Sequence, residues 1–226
     1  METRYIVGII LFLTAVCAVA VFATDPDGAT VTAGTPETKT PDTPGSIIAE
    51  GGNTTPANLA AQSKTKAWQG FWGNVSGNIT LEDTSADVFY DWNLTNKTGE
   101  VLASRNNSID FTTIAGIETC TVDQDLTGNG NDATSKTFTN ASVNFEIAGT
   151  NILAACHTYP YVNSAPQSTD FEEIITSATG VTSIYVSKIN ASAAGFNGAT
   201  VDYQIIVPEN RTKTTTATYY MWIEFD

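Results

Sequence analysis

Few residues in this sequence are of the types that do chemistry, and their spacing narrows the field further. The densest run of oxygen ligands is Asp123-Gln124-Asp125-Leu126-Thr127-Gly128-Asn129-Gly130-Asn131-Asp132. Oxygen-bearing side chains at alternate positions followed by glycine match the opening half of a calcium loop, because such side chains converge and glycine permits the turn. The twelfth position, where a bidentate Glu closes such a loop, holds Thr134, which leaves Asp132 as the candidate for the missing ligand. Calcium held by Asp123, Asp125, Thr127 and Asp132 is therefore the one cofactor expectation. The same run also reads as a solvated Asn/Gly/Asp loop.

Catalytic groups are sparse. His157 is the single histidine, so no second one exists for a metal pair. Neither a Gly-X-Ser-X-Gly elbow, nor a phosphate-cradling glycine loop, nor a metalloprotease helix is present. Glu172 and Glu173 are adjacent on an expected strand, so they point to opposite faces and cannot act as a pair from there. No catalytic residue is expected. The charge of −14 repels phosphate backbones, so nucleic-acid binding is disfavoured and no nucleic-acid partner is expected.

Two further residue types carry covalent chemistry. Cys17 sits within an apolar run, which leaves Cys120 and Cys156 as an even pair and predicts one disulfide in an oxidising compartment. Asn-X-Ser/Thr occurs at Asn53, Asn74, Asn78, Asn93, Asn96, Asn106, Asn140, Asn190 and Asn210. Chance at this Ser and Thr content gives roughly four, so the excess points to surface positions that carry sugar.

The elements that must position these groups follow from the hydrophobic pattern. Tyr5 to Ala23 is uncharged and ends in Val21-Phe22-Ala23, which reads as a secretory signal over residues 1–23. The same run is long enough to serve as a membrane anchor, and contact with a membrane is expected only through residues 5–23. Residues 24–46 are rich in Thr and Pro and form a tether that cannot bury enough surface to order itself. Residues 47–226 are expected to form an all-β domain, an antiparallel sandwich of immunoglobulin-like or jelly-roll topology preceded by an N-terminal hydrophobic helix.

Strands are predicted at Ser46–Ala49, Ala67–Leu81, Val88–Leu94, Val101–Ser104, Ser142–Ala148, Phe171–Thr176, Thr182–Ile189, Val201–Val207 and Ala217–Phe225. Within the second, Val75, Ile79 and Leu81 share one face, expected in the core, while Asn74, Ser76, Asn78 and Thr80 face solvent. Trp68, Phe71, Trp72, Phe89, Tyr90 and Trp92 are expected in the core as well. Gly45–Glu50 is a short apolar strand after a flexible tether. It either pairs with its own sheet or reaches an open edge on a neighbouring copy.

Several stretches resemble archaeal secreted cell-surface glycoproteins. They are Trp68-Gln69-Gly70-Phe71-Trp72-Gly73-Asn74-Val75-Ser76-Gly77, Tyr90-Asp91-Trp92, Gly99-Glu100-Val101 with Ala103-Ser104, and Gly195-Phe196-Asn197-Gly198. Asp202-Tyr203-Gln204, Val207-Pro208-Glu209 and Thr218-Tyr219-Tyr220 extend the similarity toward the end of the chain. The resemblance implies an envelope location and Asn-linked glycosylation, and it carries no activity. The expected function is a structural or adhesive surface glycoprotein, a filament subunit among the forms this takes. The alternatives are a carbohydrate-binding module that uses exposed Trp residues and a type IV pilin-like subunit that uses the N-terminal helix. N-terminal sequencing of mature protein is expected to begin at Thr24, whereas a start near Tyr5 would favour the pilin.

Overall fold

The computed structural model describes residues 25–94, 97–212 and 214–226. The signal or anchor segment, and with it Cys17, lies outside them, as does the sequon residue Asn96. Among the described residues no helix is long and apolar enough to cross a membrane.

The chain is all-β. Its strands are β1 (Asp27–Gly28), β2 (Trp68–Gly73), β3 (Asn78–Glu82), β4 (Val88–Asn93), β5 (Gly99–Ser104), β6 (Ala115–Gly116) and β7 (Thr139–Ile147). They continue with β8 (Thr150–Thr158), β9 (Glu173–Ala178), β10 (Val181–Lys188), β11 (Ala193–Ala194), β12 (Thr200–Val201), β13 (Tyr203–Pro208) and β14 (Tyr220–Phe225). Two one-turn helices, α1 (Gln124–Thr127) and α2 (Thr134–Thr137), lie between β6 and β7.

Eight strands form the main antiparallel sheet in the order β1-β14-β5-β10-β9-β8-β7, with β6 on β9. Strands β7 to β10 are a meander whose turns use Ala148-Gly149 and Thr179-Gly180, with positive φ at Ala148, Gly149 and Gly180. The meander then joins β5 and β14. Gly99 opens β5 at φ 119°, where a Cβ would strike the Glu224 carbonyl, so only glycine permits β14 to lie this close.

The sheet curls until its far ends meet. Four strands separate β14 from β7, yet both carboxylate oxygens of Glu224 accept from the Ala148 N–H, at 2.8 and 3.0 Å. Lys188 reinforces the closure by donating to the Asn144 carbonyl at 3.2 Å and standing 4.1 Å over the Phe145 ring. Inside the curl, Leu102, Phe145, Ile147, Ile152, Ile174, Ile184 and Val186 form one core, closed by Phe111 and Ile114. On the other face, Ala103, Cys156, Ile175 and Tyr185 pack against Ile205 and Val207 of the β2–β13 ribbon and against Phe138. The Cys120–Cys156 disulfide pins the segment that carries α1 and α2 to that face.

Three sequence expectations fail. Ser46–Ala49 forms no strand: the described segment 30–66 has no regular element, and it is β1 that pairs with β14. Ala67–Leu81 is two strands, because the chain turns away after Gly73. Strand β8 is absent from the prediction because its second half, Ala154-Ala155-Cys156, lacks β-branched and aromatic residues.

Replacing Ile184 by Ala, inside the curl, is expected to cost about 2–5 kcal/mol in denaturant unfolding. The same change at Leu81, on the surface, should stay within about 0.5 kcal/mol.

Candidate functional site

The β3–β4 hairpin stands apart from this packed body. Its register sets Asn78 opposite Asn93, Ile79 opposite Trp92, Thr80 opposite Asp91 and Leu81 opposite Tyr90. Strand alternation therefore gives it one polar face of Asn78, Thr80, Asp91 and Asn93 and one apolar face of Ile79, Leu81, Tyr90 and Trp92. The division of residues follows the sequence pattern, but the expected core does not exist. Leu81 is 52% exposed, Tyr90 57% and Trp92 49%, because no second layer covers the hairpin.

Only the root of the hairpin is held. Val75 is buried with Val101 and Ile189. Its N–H donates to Asp202 at 3.0 Å, and the Asp202 carboxylate also accepts from Lys97 at 2.7 Å and the Ser192 N–H at 2.9 Å. Burial acts to raise the Asp202 pKa, yet these three donors outweigh it and hold the group below its ordinary value. A Cβ at Gly77 would come within 2.7 Å of the Phe225 ring, so glycine there lets the hairpin leave the body over β14.

The remaining aromatic expectations divide. Trp68 is half-buried against Phe138 and donates its indole N–H to the Asp132 carbonyl at 2.6 Å. Phe71, Trp72 and Phe89 are exposed, against the expectation of a core position. The exposed rings do not share a plane: Tyr90 and Trp92 are inclined at 54° and Trp72 and Phe196 at 71°.

The four calcium-ligand candidates are drawn to separate partners. Asp123 takes the left-handed conformation at φ 54° and pairs with Arg105, while its other oxygen accepts from Ser183 and Tyr185, both at 2.8 Å. Asp132 pairs with Arg211 at 2.8 Å and accepts from Thr65. Thr127 is buried with its hydroxyl on Thr134, and Asp125 is exposed. The loop becomes the helical turn α1, where alternate side chains point to different sides rather than to one centre. Among the described residues no group of three or more His, Cys, Asp or Glu is placed to hold a metal ion.

Glu172 and Glu173 part as their adjacency requires. Glu172 accepts from Lys188, Tyr159 and the His157 ring, whereas Glu173 turns between the layers and accepts from the Ile206 N–H at 2.9 Å. Among the sequons, Asn53, Asn74, Asn78, Asn93 and Asn140 are exposed, and Asn106, Asn190 and Asn210 are half-buried. The Asn190 amide donates to Asp170 at 2.6 Å.

No family model, curated protein or solved structure matches this chain.

One group of residues had no signal in the sequence. Glu100 and Glu224 are opposite one another on β5 and β14, both buried at the end of the curl, with Asp226, Glu146 and Lys188 nearby. Burial first, then the charges of Asp226 and Glu224, push Glu100 up to about 8, against the pull of Lys188. Burial likewise raises Glu224 to about 7, although its bond to Ala148 opposes the rise. Strand spacing brings these carboxyls together from residues more than a hundred positions apart.

Both pKa values are raised on folding, so the folded chain keeps protons that the unfolded chain releases near pH 4.5. Their contribution is complete below that pH and is lost as pH climbs to about 8. The melting temperature is therefore expected to fall between about pH 5 and about pH 8.5. Glu100→Gln, which mimics the protonated acid, should flatten that slope in thermal unfolding. An unaltered slope would assign the effect elsewhere.

Proposed function

We propose that this chain is a non-catalytic structural or adhesive glycoprotein, exported to a cell surface and carrying sugar on most of its sequons. The observation that carries the reading is the disposition of those asparagines. Of the eight within the described residues, none is buried, and Asn78 and Asn93 occupy one face of a projecting hairpin. The disulfide is in keeping with an oxidising compartment, and the uncharged run Tyr5–Ala23 supplies the means of export. The resemblance to archaeal surface glycoproteins points the same way. We read the finer architecture as a sandwich, with the β2–β13 ribbon as a second layer over the main sheet.

Carbohydrate binding is the second reading, favoured by the exposure of Trp72 and Trp92. The inclination of the ring pairs weighs against it, because a sugar platform needs two rings in one plane. A filament subunit remains a form of the leading reading.

Intact mass of protein from its native source tests the proposal. A mass well above that of the polypeptide, with modified peptides mapping to Asn74, Asn78 and Asn93, is expected. A mass equal to the bare polypeptide would overturn it.

A further inference from the structure

Two apolar features of this chain lack a partner among the described residues. The first is the hairpin face of Ile79, Leu81, Tyr90 and Trp92. The sheet that β3 and β4 form has only two strands, so each has an outer edge unpaired among the described residues. Two-stranded ribbons are marginal in water, and a third strand with an apolar face is what makes such a unit stable. Both hairpin sequons, Asn78 and Asn93, lie on the opposite face, so sugar there leaves the apolar side open.

The second feature is the long exposed segment 30–66, a tether that runs on past the expected residues 24–46. It is held at one end where the Ala29 N–H donates to the Met221 carbonyl at 2.9 Å, and at the other where the Glu209 N–H donates to the Ala67 carbonyl at 2.8 Å. Between these anchors Ile47 and Ile48 are exposed, Ile48 at 96%. They sit in a short stretch without regular structure, bounded by Pro44-Gly45 and by a turn at Gly51-Gly52. Such a stretch has the composition and length of a β-strand without a sheet.

We propose that the β3–β4 hairpin is a docking surface for residues 45–50 of a second copy of this chain, added as a third strand with Ile47 or Ile48 on the apolar face. This deepens the surface-subunit reading by naming the partner, and it rests on that reading for its biological setting. Area selects the mode. The half-exposed Leu81, Tyr90 and Trp92 leave roughly 350 Å² of side-chain surface, so hairpin against hairpin falls short of the ~1,200 Å² that a specific interface needs. Reciprocal exchange, in which each copy also buries Ile47, Ile48 and the strand backbone, brings the total to about 1,200–1,600 Å². The segment is within reach of its own hairpin, at no more than ~3.5 Å per residue, yet in the single chain it lies off it.

Sedimentation of the full mature chain over a range of concentrations tests this. The native protein is expected to self-associate. Ile48→Asp in the tether and Leu81→Asp in the hairpin should each weaken association at least about tenfold, by placing a charge in a buried contact. Both variants should melt at the temperature of the native monomer, since both sites are exposed there. Mixing the two variants leaves one of the two exchanges intact, so the mixture should associate more tightly than either variant alone and less tightly than the native protein. A native protein that stays monomeric overturns the proposal, and so does association that Ile48→Asp leaves unchanged, which would mean hairpin-to-hairpin contact. A concentration-independent drop in melting temperature for Ile48→Asp also overturns it, in favour of docking within one chain. The mass measurement on the native glycoprotein is independent of these outcomes, so failure of exchange and failure of the surface reading are distinguished.

Discussion

Strands β5, β9 and β10 are covered on both faces, and the rest of the molecule is arranged around that fact. Every residue of β5 is buried, as are the first four of β9 and nearly all of β10. An antiparallel sheet whose middle is buried on two sides needs two layers to cover it. Among the described residues the helices are too short to build them. The sheet supplies one cover by curling its own ends, β7 and β14, around the Leu102, Ile174 and Ile184 face. The β2–β13 ribbon and the disulfide-pinned segment supply the other over Tyr185 and Ile175.

That arrangement explains where the polar groups are found. Ser187 donates to the Gln204 carbonyl at 2.6 Å and Glu173 accepts from the Ile206 N–H, so the two layers are joined by hydrogen bonds as well as by apolar contact. Burial raises Glu173 well above the ordinary carboxylate range, against the pull of its bond from the Ile206 N–H. Glu224 joins the two ends of the curl through a single backbone N–H. Burial thus raises the pKa of several carboxyls in this acidic protein, and fold stability is tied to pH through the same groups that close the sheet.

The hairpin is the part of the molecule that this scheme leaves out. Its residues have the alternation of a half-buried strand pair, but both covering layers are already spent on the central sheet. Its apolar face has no cover among the described residues, and its sequons lie on the reverse side. The long exposed segment 30–66 has the complementary deficiency, an apolar Ile47-Ile48 pair with no cover among the described residues.

Local pattern in the sequence determined the all-β class, most strand positions, the pairing of Cys120 with Cys156 and the division of the hairpin into polar and apolar faces. Each of these depends on alternation, turn residues or a count, which are properties of neighbours along the chain. The tertiary structure decided which apolar faces are covered. Val143, Phe145 and Ile147 show the same alternation as Ile79 and Leu81, yet only the first set meets another layer. It also decided that Asp123 and Asp132 serve two arginines, Arg105 and Arg211, that lie far away in sequence. Glu100 and Glu224 became acids of raised pKa in the same way, since strand pairing alone brought them together. Periodicity reports that a side chain has an apolar neighbour on its own strand, whereas burial depends on what folds over it, and that is set by contacts between residues far apart in the chain.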